Sequence, residues 1–284
     1  MTTFATPEPI AATIDIAAGH VLIRASDRTD TVVEVRPTNE SDDADVRAAD
    51  QTRVEYANGQ LLVKAPKSKI RSLFGRPPSV DVTVDLPSDS RVDANVWADV
   101  RSEGRLGDST FETAIGSVRL DQTGRLKLHT AAGDVSVARS VGHADVTTST
   151  GKIRIGEIDG SAVVRTSNGE IALGEVTGDV RLNTANGDIT VERALATVGA
   201  KTAYGNIRIG EVVRGVVAVE TGFGEVELGI REGTAAWLDV TSHSGSVRSD
   251  QDAAPEPSPS DETIEVRART GYGDIVIRRA EPAK

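Results

Sequence analysis

The 284-residue chain has no cysteine, one methionine and few aromatics: two Trp, three Tyr and four Phe. Without cysteine there is no disulfide framework and no thiolate metal site. An aromatic content of 3% argues against an aromatic-lined cavity and fits a narrow interior filled by Val, Ile and Ala. The four histidines are scattered: His129 reads as outward-facing, and His143 and His243 fall at turn signals, so neither they nor His20 suggest a metal site. The phosphate loop Gly-x-x-x-x-Gly-Lys-Ser/Thr is missing, and GYGDIV near the C-terminus lacks the following helix that a dinucleotide site needs. No run reaches the roughly 18 apolar residues of a membrane helix, and the first twenty residues lack the basic start and apolar centre of a secretory signal. The expectation is a cytoplasmic protein, and the net charge of −11 speaks against a role on nucleic acid.

What the chain does contain is a ladder. Gly133, Gly151, Gly169, Gly187 and Gly205 follow one another at eighteen-residue intervals, each three residues after a threonine: Thr130, Thr148, Thr166, Thr184 and Thr202. A rung one residue shorter starts at Gly116. With the glycine as position 1, position 3 is Val118, Val135, Ile153, Ile171, Ile189 and Ile207, and position 5 is Leu120, Val137, Ile155, Leu173, Val191 and Ile209. Arg119, Ser136, Arg154, Ala172, Thr190 and Arg208 lie between them, so the segment alternates as a strand with one buried face. A second short strand carries Val146, Val164, Leu182 and Ala200 inward. A fixed period with one apolar face per unit predicts a solenoid, because a single rung cannot bury its own face and must stack on its neighbours. The glycines suit sharp corners.

The expected fold is all-β: a right-handed parallel β-helix, right-handedness being the default for parallel crossovers. It would have about nine rungs at roughly 4.8 Å each. Two other eighteen-residue architectures were weighed. A left-handed hexapeptide helix needs an inward aliphatic every sixth position, whereas the inward set here is 3, 5, 8, 12, 14 and 16. An antiparallel meander would separate the threonine and glycine columns by two strands. Residues 1–90 are read as an N-terminal β cap, with strands at ATIDI, HVLIRA, TVVEVRP, RVEYA, QLLVKA and SVDVTVDLP, and residues 91–284 as the solenoid. Residues 37–50 carry five acids against Arg47, and residues 250–262 carry five acids and no base. Both read as mobile loops, the second an acidic, Pro-rich insertion between Gly245 and Gly273. The rung of Ile275 and Ile277 reads as the last, guarded by Arg278 and Arg279, so a monomer is expected.

HVLIRASDRTDTVVEVRP, then QLLVKAPKS, then VDVTVDLPSDS, followed by tandem T-x-x-G-[DEKN]-[IV]-x-[ILV] rungs, resembles a bacterial family of unknown function whose shared domain is labelled "putative adhesin". The resemblance spans roughly residues 10–279. It implies a single-stranded parallel β-helix, no known catalytic residues and no cofactor, and some relatives are similar to components of cell-envelope stress responses.

Two candidate interaction surfaces stand out. Residues 64–78 hold Lys64, Lys67, Lys69, Arg71 and Arg76 without an acid, interleaved with Ile70, Leu73 and Phe74. This is a segment for peripheral contact with an anionic membrane, or a loop whose Leu73 and Phe74 pin it while its charges stay solvated. Tyr204 and Phe223 each precede a repeat glycine, as does Tyr272, and the first two are expected to stack on adjacent rungs as a corner filler or a glycan platform. The outward columns mix signs, as in Lys152, Glu170 and Asp188, or Glu157, Glu175, Arg193 and Glu211, and read as a solvated face rather than a calcium or hydrolase site. The functional expectation is a non-catalytic, adhesin-like scaffold for a protein or cell-envelope partner. The alternative is a polysaccharide-binding or polysaccharide-cleaving β-helix.

Overall fold

The computed structural model describes residues 1–66, 77–250 and 263–280. The chain divides into two compact units, Met1–Val141 and Gly142–Lys284.

In the first unit the strands are β1 (Thr2–Ala5), β2 (Ala11–Ser26), β3 (Asp30–Pro37), β4 (Arg53–Ala57), β5 (Gln60–Lys64), β6 (Val80–Pro87) and β7 (Arg91–Glu103). They are followed by β8 (Ser109–Ile115), β9 (Val118–Thr123), β10 (Leu126–Ala132) and β11 (Val135–Val141). β2 is one complete rung, turned at Gly19, where φ is +128°. Its residues 11–15 pair in parallel with β5, its residues 19–26 pair in parallel with β6, and β7 runs parallel along its other side. The rung made of β5 and β6 therefore lies outside β2, although it follows β2 in the chain. Beyond it the edge is covered antiparallel, by β4 on β5, β3 on β6 and β1 on β3. The solenoid continues in parallel from β7 to β8 and β9, then to β10 and β11. Ile14, Ile23, Val63, Val84, Ala94 and Phe111 are fully buried inside it.

The acidic stretch 37–50, expected as a loop, contains a helix, α1 (Asp43–Gln51). Asp42 caps it by accepting a hydrogen bond from the Ala44 N–H at 2.8 Å, and Asp43 and Asp45 lie in its first turn, where the helix dipole favours negative charge. Asp45 is buried and accepts from the N–H of Ser79 at 2.8 Å and of Asn39 at 3.2 Å, tying helix, loop and β6 together. The run of acids reads as a solvated loop when charge alone is counted, whereas Asp42 is a helix cap and Asp45 a buried acceptor.

The second unit contains β12 (Ala144–Thr150), β13 (Ile153–Asp159), β14 (Ala162–Asn168), β15 (Ile171–Val176), β16 (Val180–Asn183), β17 (Ile189–Ala194) and β18 (Val198–Tyr204). After them come β19 (Ile207–Val212), β20 (Gly215–Phe223), β21 (Val226–Ile230), β22 (Ala235–Ser244), β23 (Val247–Ser249), β24 (Thr263–Tyr272) and β25 (Ile275–Arg279). Among the described residues the pairings are parallel and hold the repeat register, for example Ile171 beside Ile189 and Ile189 beside Ile207, except for a shift between Ile209 and Val212 where β19 meets β21. The expected inward set is buried: in the rung of Gly169, Ile171, Leu173, Val176, Val180, Leu182 and Thr184 are each at most 7% exposed. The fold is a parallel β-solenoid, as its period implies.

The corner is built by close approach. Gly205 has φ +151°, and a Cβ there would lie 2.1 Å from the carbonyl oxygen of Gly187 in the preceding rung. The Gly205 N–H donates to the Phe223 carbonyl of the next rung at 2.9 Å. The buried threonine three residues before each glycine supports the same corner: Thr184, Thr202, Thr221 and Thr270 donate to the carbonyls of Gly169, Gly187, Gly205 and Gly224 at 2.8–3.2 Å. Thr148 turns instead to the Thr150 carbonyl, and the Thr166 hydroxyl has no partner among the described residues.

One sequence expectation is overturned. β24 and β25, the last rung in the chain, are not last in the stack: β24 pairs with β20 on one side and β22 on the other, and β25 with β21 and β23. The terminal rung is β22 and β23, so Ile275 and Ile277 are buried and Arg278 and Arg279 guard no open edge. His243, expected in a turn, lies in β22. Core quality accounts for the order. The rung of Gly273 offers Ile275 and Ile277 at positions 3 and 5, whereas the rung of Gly245 offers Val247 and Ser249. Burying an isoleucine gains roughly 1.5–3 kcal/mol, and a serine at the same place gains nothing comparable. The stronger rung therefore occupies the covered level.

Two predictions follow from these contacts. Gly205→Ala is expected to destabilise the protein by more than about 3 kcal/mol, whereas Gly199→Ala, whose Cβ would meet nothing closer than 3.8 Å, should be neutral or stabilising by up to about 1 kcal/mol; equal effects in urea denaturation would contradict this corner geometry. Truncation after residue 250 should abolish hydrogen-exchange protection across 235–249, because β24 and β25 are the strands that hold β22 and β23; retained protection would mean that the rungs stack in chain order.

Candidate functional site

Which surface can act is decided first by what the rungs leave outside. On the strand before each glycine corner, the residue preceding the glycine points outward, and in the second unit this column reads Thr150, Asn168, Asn186, Tyr204, Phe223, Tyr272 and Ser244. Asn186 Nδ2 donates to Asn168 Oδ1 at 2.8 Å. Below it the rings stack: Tyr204 on Phe223 with centroids 5.1 Å apart and planes 5° from parallel, and Phe223 on Tyr272 at 4.8 Å and 3°. The pairing expected of Tyr204 and Phe223 is present, and Tyr272 extends it because its rung lies directly against that of Phe223. The chain order hid this third ring behind the rung of Gly245. The three rings are about half exposed, yet Phe223 has both π-faces covered by its neighbours. The middle ring therefore presents only its edge, and a sugar would have no face of Phe223 on which to pack.

Beside the corner, the outward positions of β16, β18, β20 and β24 form a shallow, open depression of ≈390 Å³. Its floor is Gly199 and Ala218, and its rim carries Arg181, Lys201, Arg267 and Arg269. Three of these cations are already paired: Lys201 with Glu220 at 3.0 Å, Arg267 with Glu265 at 2.6 Å and Arg269 with Asp239 at 3.7 Å. The mixed column on the other strand behaves alike, with Arg193 between Glu175 at 3.1 Å and Glu211 at 3.0 Å, and Arg231 on Glu211 at 2.7 Å. Lys152 and Arg154 reach Glu170 at 3.4 and 3.7 Å. Charge alternation along columns thus forms ion-pair ladders between rungs, each exposed pair worth about 0–1 kcal/mol. Among the described residues no three His, Asp or Glu side chains are grouped to hold a metal ion.

Side chains at position 2 link the corners. Asp188 accepts from the Asn206 N–H at 2.7 Å, Asn206 from the Glu225 N–H at 2.8 Å and Asp274 from the Ser246 N–H at 2.8 Å. The hydrogen bond from the Ser246 backbone N–H, assisted by the charge of Arg248, holds the Asp274 carboxyl below the usual aspartate range. The basic candidates Lys67, Lys69, Arg71, Phe74 and Arg76 lie outside the described residues; at their flank, Lys64 pairs with Asp15 at 3.4 Å.

A family model described as Toastrack DUF4097 matches residues 13–214 and 176–281. No curated relative matches the chain. Among solved structures, a "putative adhesin" from Bacteroides fragilis NCTC 9343 is 13% identical with a TM-score of 0.38, covering 97% of this chain and 95% of that one. A "putative adhesin" from Parabacteroides distasonis ATCC 8503 is 10% identical with a TM-score of 0.35 and the same coverages. A "putative cell adhesion protein" from Clostridium sporogenes ATCC 15579 is 11% identical with a TM-score of 0.23, covering 98% of each chain. At scores this low nothing about fold or function is taken from the three likenesses.

Phe223→Ala is expected to cost about 1–3 kcal/mol, two ring pairs at roughly 0.5–1.5 kcal/mol each. A double-mutant cycle with Tyr272→Ala should return a coupling of that single-pair size; additive losses would mean that the two rings do not interact.

Proposed function

The chain belongs to the Toastrack DUF4097 family, and from that footing we propose that it is a non-catalytic interaction protein whose faces dock a protein or cell-envelope partner. The observation that carries the reading is the filled interior: among the described residues the inward positions of the covered rungs are buried side chains, as in the rungs of Gly169, Gly187 and Gly205. The space a ligand could use is therefore on the surface, and there it takes the form of flat columns and a shallow depression. Flat surfaces of alternating charge suit recognition by complementary potential, which gives specificity and speed of encounter more than tight enclosure. Arg181 on the depression rim and the edges of the Tyr204, Phe223 and Tyr272 column supply the polar and aromatic groups that such contacts use.

Polysaccharide cleavage has less support, because both faces of Phe223 are covered and several outward acids, Glu170, Glu175, Glu211 and Glu220 among them, are engaged by neighbouring cations. The purified chain, immobilised and exposed to extract of its own cells, is expected to retain a defined protein or envelope component. Arg181→Glu combined with Tyr204→Ala should reduce that retention at least tenfold while circular dichroism stays unchanged. Release of new reducing ends from cell-wall polysaccharide by the pure protein would overturn the non-catalytic reading.

A further inference from the structure

Among the described residues the end of the stack at β22 and β23 is open, with no strand paired to the far side of either. Inward columns that are sealed elsewhere are bared here. Val217 and Val266 are fully buried but Leu238, next in their column, is partly exposed, and Val240 is likewise partly exposed after Val219 and Ala268. Val226 and Ile275 are fully buried, whereas Val247 is 48% exposed. Trp237, on the outer face of the same strand, is 60% exposed. β22 itself is long and lightly protected: it reads AAWLDVTSHS, with Asp239 its one formal charge and no Lys, Arg or Pro, whereas β23 is three residues long and carries Arg248. The arginines that would have guarded an edge, Arg278 and Arg279, belong to the covered rung.

We propose that β22 pairs antiparallel with the β22 of a second copy, closing a two-fold dimer at this end. Length selects the partner. β22 is ten residues long, while the edge strands at the other extreme of the chain, β1 and β4, have four and five, so the strand of this protein that matches it end to end is itself. Sequence parity agrees. With Val240 opposite the same residue of the second copy, even-numbered residues face even-numbered ones and the inward row of Leu238, Val240 and Ser242 stays inward, as a period-two strand requires. The outward row then sets Trp237 across from His243 and Asp239 across from Thr241, so the strand's single formal charge at neutral pH meets no like charge. A two-fold contact uses up both open edges at once and stops, where a head-to-tail contact would propagate.

The cysteine-free chain makes the test direct. Light scattering on the full chain should give twice the chain mass across the micromolar range, and Val240→Lys should shift it to the chain mass with unchanged circular dichroism. Val240→Cys, under mild oxidation, should cross-link nearly all of the protein, since directly opposed residues hold their Cβ atoms about 4.5–5.5 Å apart, near disulfide reach. His129→Cys, on an exposed strand face of the first unit, should stay uncross-linked and controls for collision. The native chain at the mass of one copy, or failure of Val240→Cys to cross-link more than the His129→Cys control, would overturn the proposal, the second outcome even if the Val240→Lys variant fails to fold.

Discussion

Everything in this protein depends on how closely successive chains can pass at the glycine corners. In the second unit the carbonyl of one corner glycine lies about where the Cβ of the next would be, 1.9–2.1 Å from it for Gly169, Gly187, Gly205, Gly224, Gly245 and Gly273. The missing side chain lets the backbone turn with positive φ while the glycine N–H still donates to the neighbouring rung. The threonine three residues earlier supports the corner from inside, its hydroxyl bound to a glycine carbonyl in four rungs. A polar group is thereby buried without cost to the core, because its partner is also buried.

The consequence for function is geometric. A corner this tight gives a narrow interior that Val, Ile, Leu and Ala fill completely, so the outward columns carry whatever the protein does. Those columns are not free side chains on a neutral frame. Arg193, Glu211, Lys201 and Glu220 are committed to neighbouring rungs, and the aromatic column is committed to itself. A partner of the kind proposed would meet a surface whose charges are positioned in advance, which lowers the entropy lost on docking.

Both units depart from chain order where their stacks end. In the first, the rung of β5 and β6 lies outside β2 and is covered by short antiparallel strands and the helix α1. In the second, the rung of β24 and β25 slips inside β22 and β23. The two departures have opposite results, since one produces a covered edge and the other leaves a ten-residue strand with no outer partner among the described residues. The residue-level reason in the second unit is visible: Ile275 and Ile277 are worth burying and Ser249 is not.

The rungs from Gly116 to Gly205 were legible residue by residue, because the eighteen-residue period and the two-residue alternation are local patterns that stacking repeats without change. Tyr204 against Phe223 was legible for the same reason. Helix α1 was not, since its capping aspartate looked like one more acid in a charged run, and Tyr272 was not, since its neighbour comes from a rung two glycine corners earlier in the chain. The sequence alone determined the coil, its inward residues and its corners. Only the tertiary structure decided which rung ends the stack, because that choice compares the burial of distant residues and no local pattern encodes it.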